Sequence, residues 1–235
     1  VIFRLVLKMQ LTRGRAAALG SLGLLAVVLA FAIRVGNSND HLAAGSGIID
    51  VIDGLGLAVL APVTALVLAS AALGDLAEDR TLVYVWLRPL PRWKLAAGAF
   101  AATLAVAMPF VLVPLIATDL IGGASSKLLL GTVVSATIAV AGYSALFLGL
   151  GLRVRRALVW GLAYVLIWEG AVARAARGAA RLSVQVYARS LLSAIADHKP
   201  PRQAASTVAS VVVPLLVIAL AYIITVQWLE KADVA

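Results

Sequence analysis

Glu78-Asp79-Arg80-Thr81-Leu82-Val83-Tyr84-Val85-Trp86-Leu87-Arg88-Pro89-Leu90-Pro91-Arg92-Trp93-Lys94 separates two long apolar runs, residues 55–74 and 95–117, and crowds charge, aromatic rings and proline together. A helix facing lipid cannot carry that many ionised side chains, so this stretch belongs at the membrane surface or in water. The runs on either side then cross the bilayer. This reading makes the chain an all-α integral membrane protein.

The composition agrees. Of 235 residues, 63% are hydrophobic and 13% charged, whereas soluble domains average roughly 45–50% apolar and about 25% charged. The length suits one domain, 1–235, of several spans, since each helical crossing needs about 20 residues. There is no cysteine, so disulfides, thiolate metal sites and cysteine nucleophiles are excluded. His41 and His198 lie far apart without ligand spacing, and a protein metal site usually takes three or four ligands. A net charge of +9 would suggest nucleic acid in a soluble protein. Here the basic residues gather at the ends of the apolar runs, where they set topology and meet anionic headgroups. Membrane lipids, and no nucleic acid, are the partners this implies. The arginine-rich, alanine-heavy usage points to a GC-rich bacterial genome, and so to a bacterial inner membrane.

Six apolar runs are long enough to be read as spans: 16–35, 55–74, 95–117, 128–152, 157–173 and 208–229. The first is longer than a signal-peptide core and no small-residue cleavage site follows it, so it reads as a permanent anchor. Arg4, Lys8, Arg13 and Arg15 precede the first run, and Arg80, Arg88, Arg92 and Lys94 lie between the second and third. Arg153, Arg155 and Arg156 fill the turn between the fourth and fifth, and Lys231 follows the sixth. By the positive-inside rule these segments and both termini are cytoplasmic. The loop at 37–47, without a basic residue, and the short loop between Asp119 and Lys127 face the other side.

The stretch between the fifth and sixth runs disagrees, because it carries Arg174, Arg177, Arg181, Arg189, Lys199 and Arg202. Either the fifth run does not cross, or this outer segment, 174–206, is basic for a reason of its own. The fifth run is short and contains Glu169, as a re-entrant segment would. Late loops weigh little once earlier spans have set orientation, which favours six crossings.

Two segments look amphipathic. In 1–15, Arg4, Lys8 and Arg15 share a stripe, with Phe3, Val6, Leu7 and Met9 elsewhere around the helix, so an interfacial helix is expected. In 170–196, Arg174, Arg177 and Arg181 repeat at i, i+3, i+7, the spacing of one helix face, with Pro200-Pro201 as the stop.

The opening stretch can be read physically. Asp75, Glu78 and Asp79 would begin a short helix, where acidic groups complement the positive end of the macrodipole. Leu82, Val85, Trp86 and Leu87 form its apolar side, and Pro89 and Pro91 stop it between Arg88, Arg92 and Lys94. The product is either a rigid charged knuckle that docks a partner or an ordinary interfacial helix with tryptophans at the aromatic belt.

The order Glu-Asp-Arg-Thr at 78–81, an aliphatic and aromatic run, then Leu-Arg-Pro-Leu-Pro-Arg-Trp at 87–93 and Gly98 resembles the permease subunits of type-2 ABC transporters. The resemblance extends to an amphipathic N-terminal helix, six spans and an outer helical or re-entrant segment between the last two. It implies that 75–94 is a cytoplasmic coupling helix docking into a separate ATP-hydrolysing subunit. Glu78, Asp79, Arg80 and Thr81 match the entry of the motif, and Arg88, Pro89, Pro91 and Arg92 its exit; Asp75 and Trp86 complete the implied docking set. Many members carry glycine before the threonine and Gly-Lys at the end, where this chain has Arg80 and Gly98-Ala99. The departure bears on fine geometry more than on role. No G-x-x-x-x-G-K-S/T loop occurs, so ATP and Mg would be bound by two copies of the partner ATPase and no cofactor by this chain. A second copy of the chain would complete the pathway of an exporter working by alternating access.

Inside the spans, Glu169 is the acid expected to matter. Either it pairs with an arginine such as Arg174 or faces the pathway, holding a gate or lining the pathway with Arg174, Arg177 and Arg181, or else it sits solvated near the outer interface. Asp50, Asp53 and Asp119 are expected to cap outer helix ends. Pro62, Pro109, Pro114 and Pro214 should kink helices, and the small runs 149–151 and 97–99 should allow close helix approach. An intramembrane lipid-modifying enzyme would need converging acid–base or nucleophilic groups, which the sequence does not offer. A secondary transporter would show internal repeats, and the halves 1–117 and 118–235 show none. A non-transporting membrane scaffold or assembly subunit is the remaining alternative.

Overall fold

Five helices are long and apolar enough to cross a membrane: Arg13–Gly36, Gly45–Gly74, Arg92–Gly122, Ser126–Arg153 and Thr207–Lys231. They make the chain a multi-pass membrane protein. The computed structural model describes residues 2–37, 41–78, 91–172, 177–198 and 203–231, and these are helical with no strand among them. In chain order the helices are α1 (Ile2–Gln10), α2 (Arg13–Gly36), α3 (His41–Val51), α4 (Ala61–Glu78), α5 (Arg92–Gly122), α6 (Ser126–Arg153), α7 (Ala157–Ala163), α8 (Arg177–Ala180), α9 (Val184–Ala196) and α10 (Thr207–Lys231). A π-helical stretch, Ile52–Leu60, joins α3 to α4, and another, Tyr164–Val172, follows α7.

Small residues let α6 sit at the centre, against α4, α5, α9 and α10. A Cβ at Gly151 would come within 2.7 Å of the Ser70 Cα on α4, and one at Gly74 within 3.1 Å of the Gly151 carbonyl oxygen. Gly149 similarly admits Thr225 and Trp228 of α10. The expected close approach at 149–151 is thus a backbone-to-backbone contact between α4 and α6. With lipid outside, such packing rather than burial from water holds helices together.

The same contacts sort the ends of the helices. Gln10 at the end of α1 is buried and donates through Nε2 to the Leu68 carbonyl (3.1 Å) and to Thr103 Oγ1 (2.8 Å). Tyr222 of α10 donates to the Trp93 carbonyl at 2.7 Å. Together with the Gly74–Gly151 and Gly149–Trp228 contacts, these bring the start of α2, the end of α4, the start of α5 and the ends of α6 and α10 to one end of the bundle. Arg13, Arg92 and Arg153 gather there. Gly122 against Ile48 and Gly131 against Leu192 define the other end.

Several expectations are corrected. The N-terminal helix stops at Gln10, and Arg13 and Arg15 belong to α2, whose first turn is capped by Thr12. Its Val6 packs against the bundle. The expected loop at 37–47 is helical from His41, because Leu42, Ala43 and Ala44 extend the apolar run of α3. Asp75 and Glu78 close α4 instead of opening a new helix; Leu76 and Ala77, both strong helix formers, carry it past Asp75. Pro91 is the N-cap of α5, so the third span begins at Arg92; whether it also stops the segment before it lies outside the described residues. Pro62 comes two residues after the first π-helical stretch, whose C-cap Ala61 donates its amide to the Gly56 carbonyl. A widened turn relieves the clash of a proline ring with the carbonyl four residues back. Pro109, Pro114 and Pro214 lie inside α5 and α10 as expected.

Candidate functional site

Two regions were singled out from sequence. In the first, Asp75 and Glu78 lie in the last turn of α4, and Pro91 and Arg92 begin α5. Asp79, Arg80, Thr81, Trp86, Arg88 and Pro89 lie outside the described residues. The two helices that carry this segment are nevertheless held firmly. Gln10 ties α1 to both of them, and the Tyr222 hydroxyl pins the first turn of α5. Lys94 lies 5.4 Å from the centre of the exposed Trp93 ring, a cation–π contact at the mouth of the segment.

The second region centres on Glu169. The run containing it has seven α-helical and nine π-helical residues, which at full α-helical rise span at most about 24 Å, short of the ~30 Å hydrocarbon core. Glu169 is only 2% exposed. Its carboxylate accepts hydrogen bonds from Tyr164 Oη (3.1 Å), the Val184 amide (3.2 Å) and Ser183 Oγ. Ser183 is also the N-cap of α9, accepting from the Val186 amide. The carboxylate therefore sits at the positive end of a helix dipole. Its depth follows from Val184, which packs against Gly142, near the middle of α6. Solvation near the outer interface is thus overturned: Glu169 is buried within the bundle, and hydroxyls and a helix N-terminus satisfy it.

The arginines do not form the expected stripe. Arg177 begins the four-residue α8, and Arg181 lies in the turn after it, so no single helix runs through 170–196. The turn at Arg181 and Leu182 and the N-capping Ser183 interrupt it, since serine there starts a new helix. Arg174 and Pro200-Pro201 lie outside the described residues; α9 ends at Ala196, where Asp197 takes a left-handed conformation (φ 55°).

α9 runs from mid-bundle to the end bearing Gly131 and is fastened along its length. Arg189 Nε lies 2.7 Å from Asp53 Oδ1, and Arg189 also donates to the Asp53 carbonyl at 3.3 Å. The Ala205 amide donates to Ser190 Oγ at 3.0 Å. Asp53 is therefore an ion-pair partner inside the π-helical stretch, not a helix cap. Asp119 is not a cap either; it is buried in the last turn of α5 beside Thr132. A double-mutant cycle of Arg189→Ala and Asp53→Ala, read by thermal unfolding in detergent, should give a coupling energy of about 0.5–2 kcal/mol, since both partners are partly exposed. Additive losses would show that the pair holds nothing.

Sequence reasoning missed Tyr164, Ser183 and the Asp53–Arg189 pair. Serine before an amphipathic run was a readable N-cap signal; a pair 136 positions apart in sequence leaves no local trace. Among the described residues no cluster of histidine and carboxylate groups could hold a metal ion. The Glu169 cluster ties the N-terminus of α9 to the short apolar run through three hydrogen bonds among the described residues. Comparison of the chain with protein-family models, curated proteins and solved structures returns no match.

Proposed function

We propose that the chain is the membrane-spanning permease subunit of an ATP-driven ABC exporter. The observation that carries this reading is the 78–98 motif, which connects two firmly anchored helices at the end of the bundle where basic residues gather. In this reading the segment docks a separate ATPase subunit, two copies of which serve two copies of the chain. The basic end and both termini are cytoplasmic, the membrane is a bacterial inner membrane, and the chain crosses it six times. The run from Ala157 to Val172 starts the fifth crossing, which 174–206 completes on the outer side. Support comes from the early basic ends lying together and from a short apolar segment followed by a helix, α9, seated within the bundle.

The test is to purify a tagged copy from its native membrane and identify what accompanies it. A roughly stoichiometric ATPase would support the reading; an isolated chain, even after crosslinking through 78–94, would favour a scaffold or assembly subunit. Charge reversal at Glu78 and Asp79, or at Arg88 and Arg92, should then abolish transport-stimulated ATP hydrolysis while leaving the helical content unchanged. Normal coupling in both variants would remove the docking assignment.

A further inference from the structure

Arg153 closes α6 and Lys231 closes α10, and the two line one cavity of about 330 Å³ together with Leu152 and Trp228. That volume is at the lower end of small-molecule sites. Gly149 shapes its floor: a Cβ there would lie 3.4 Å from the Trp228 ring, so the missing side chain lets the indole pack against α6. Neither cation is spent on the protein. Among the described residues the Arg153 guanidinium and the Lys231 ammonium make no hydrogen bond or ion pair, and no acid lines the cavity. Glu230, next to Lys231 in sequence, is exposed and lies outside the lining. The macrodipole accounts for a cation at each helix end, but not for two on one small cavity, where like charges repel until an anion lies between them.

From this cavity α10 leads back into the bilayer along an apolar stripe. Trp228, Ile224, Leu220 and Leu216 recur every four residues, and all four are exposed. The stripe runs about 18 Å, more than half of the ~30 Å hydrocarbon core. Charge thus stands at the end of the bundle and hydrocarbon towards its middle, the order of a phospholipid from headgroup to tail. We propose that the cavity binds one anionic phospholipid of the adjoining leaflet, its phosphate between Arg153 and Lys231 and an acyl chain along the stripe from Trp228 to Leu216. The guanidinium offers paired donors to phosphate oxygens and the ammonium a point charge. Trp228 sits where indoles settle, between headgroups and hydrocarbon. The site requires only that this end of the bundle lies at a membrane surface, so it stands whether or not the protein transports anything.

The test uses the full chain in detergent with equal phosphatidylglycerol and phosphatidylcholine, counting retained lipids by native mass spectrometry. The parent chain should retain one phosphatidylglycerol in preference. Arg153→Gln and Lys231→Gln should each weaken that retention about five-fold, and the double variant more than either. Arg155→Gln combined with Arg156→Gln removes two exposed charges that do not line the cavity, and should leave retention unchanged. A phosphatidylglycerol carrying a diazirine midway along its acyl chain tests the parent chain without any variant: it should label α10 between Leu216 and Ile224. Equal retention of the two lipids by the parent overturns the proposal, as does equal weakening by the control pair, or labelling confined to other helices. Displacement of the lipid by an equal concentration of inorganic phosphate would also overturn it, by showing a site for the free anion.

Discussion

Glu169→Ala is expected to lower the stability of the detergent-solubilised chain by about 2–5 kcal/mol, through two buried donors and one half-buried donor left without an acceptor. The lower bound allows for donors in an unfolded membrane chain finding other partners, which reduces net hydrogen-bond energies in bilayers. Tyr164 Oη, Ser183 Oγ and the Val184 amide converge on this one carboxylate, so its removal opens the joint between the short apolar run and α9. Glu169→Gln keeps the volume and one acceptor oxygen but turns an amide group towards a hydroxyl; roughly half the loss is expected. Thermal unfolding followed by circular dichroism measures both, and limited proteolysis across 173–183 should speed up in the alanine variant before the spans melt. An alanine variant as stable and as protease-resistant as the parent would show that the cluster fastens nothing.

Gly151→Ala should cost about 1–3 kcal/mol, and Gly151→Leu should exceed that or prevent folding. The reason is what the new carbon meets. At Gly151 it approaches backbone atoms of Ser70, which cannot rotate away, and Gly74 faces the same helix from the other side. α4 and α6 would have to separate along their whole contact, the most extensive in the bundle. Gly20, on an exposed face of α2 where an added methyl would meet nothing within 4 Å, supplies the control. Gly20→Ala should be neutral or raise stability by up to about 1 kcal/mol, the helix-propensity difference. If both glycines respond alike in a denaturant melt, close approach of the two backbones contributes nothing specific.

Legibility in the sequence followed the range of the interaction. Long apolar runs report themselves, because a span is a local composition, and each of the five long helices overlaps a run read from hydropathy. Their boundaries moved where propensity outlasted a charge, as at Asp75, or where proline began a helix, as Pro91 does. Glu169 was singled out because an acid inside an apolar run is costly wherever it goes. The partners it has among the described residues were not legible, because a serine 14 residues on and an amide 15 residues on reach it only in space.

By itself, the sequence determined that this is a helical, multi-pass membrane protein with basic residues at defined helix ends and a charged, proline-bounded segment between two spans. Those features depend on transfer free energies summed over some twenty neighbours at a time. Only the tertiary structure decided that Glu169 is buried and satisfied, that Arg189 finds Asp53, that Gly151 lies on Ser70, and that Arg153 and Lys231 meet at one cavity. Each is a contact between segments that the chain order does not pair. Packing chooses such contacts by shape and by hydrogen-bond satisfaction at a few ångströms, a resolution that composition and spacing do not reach.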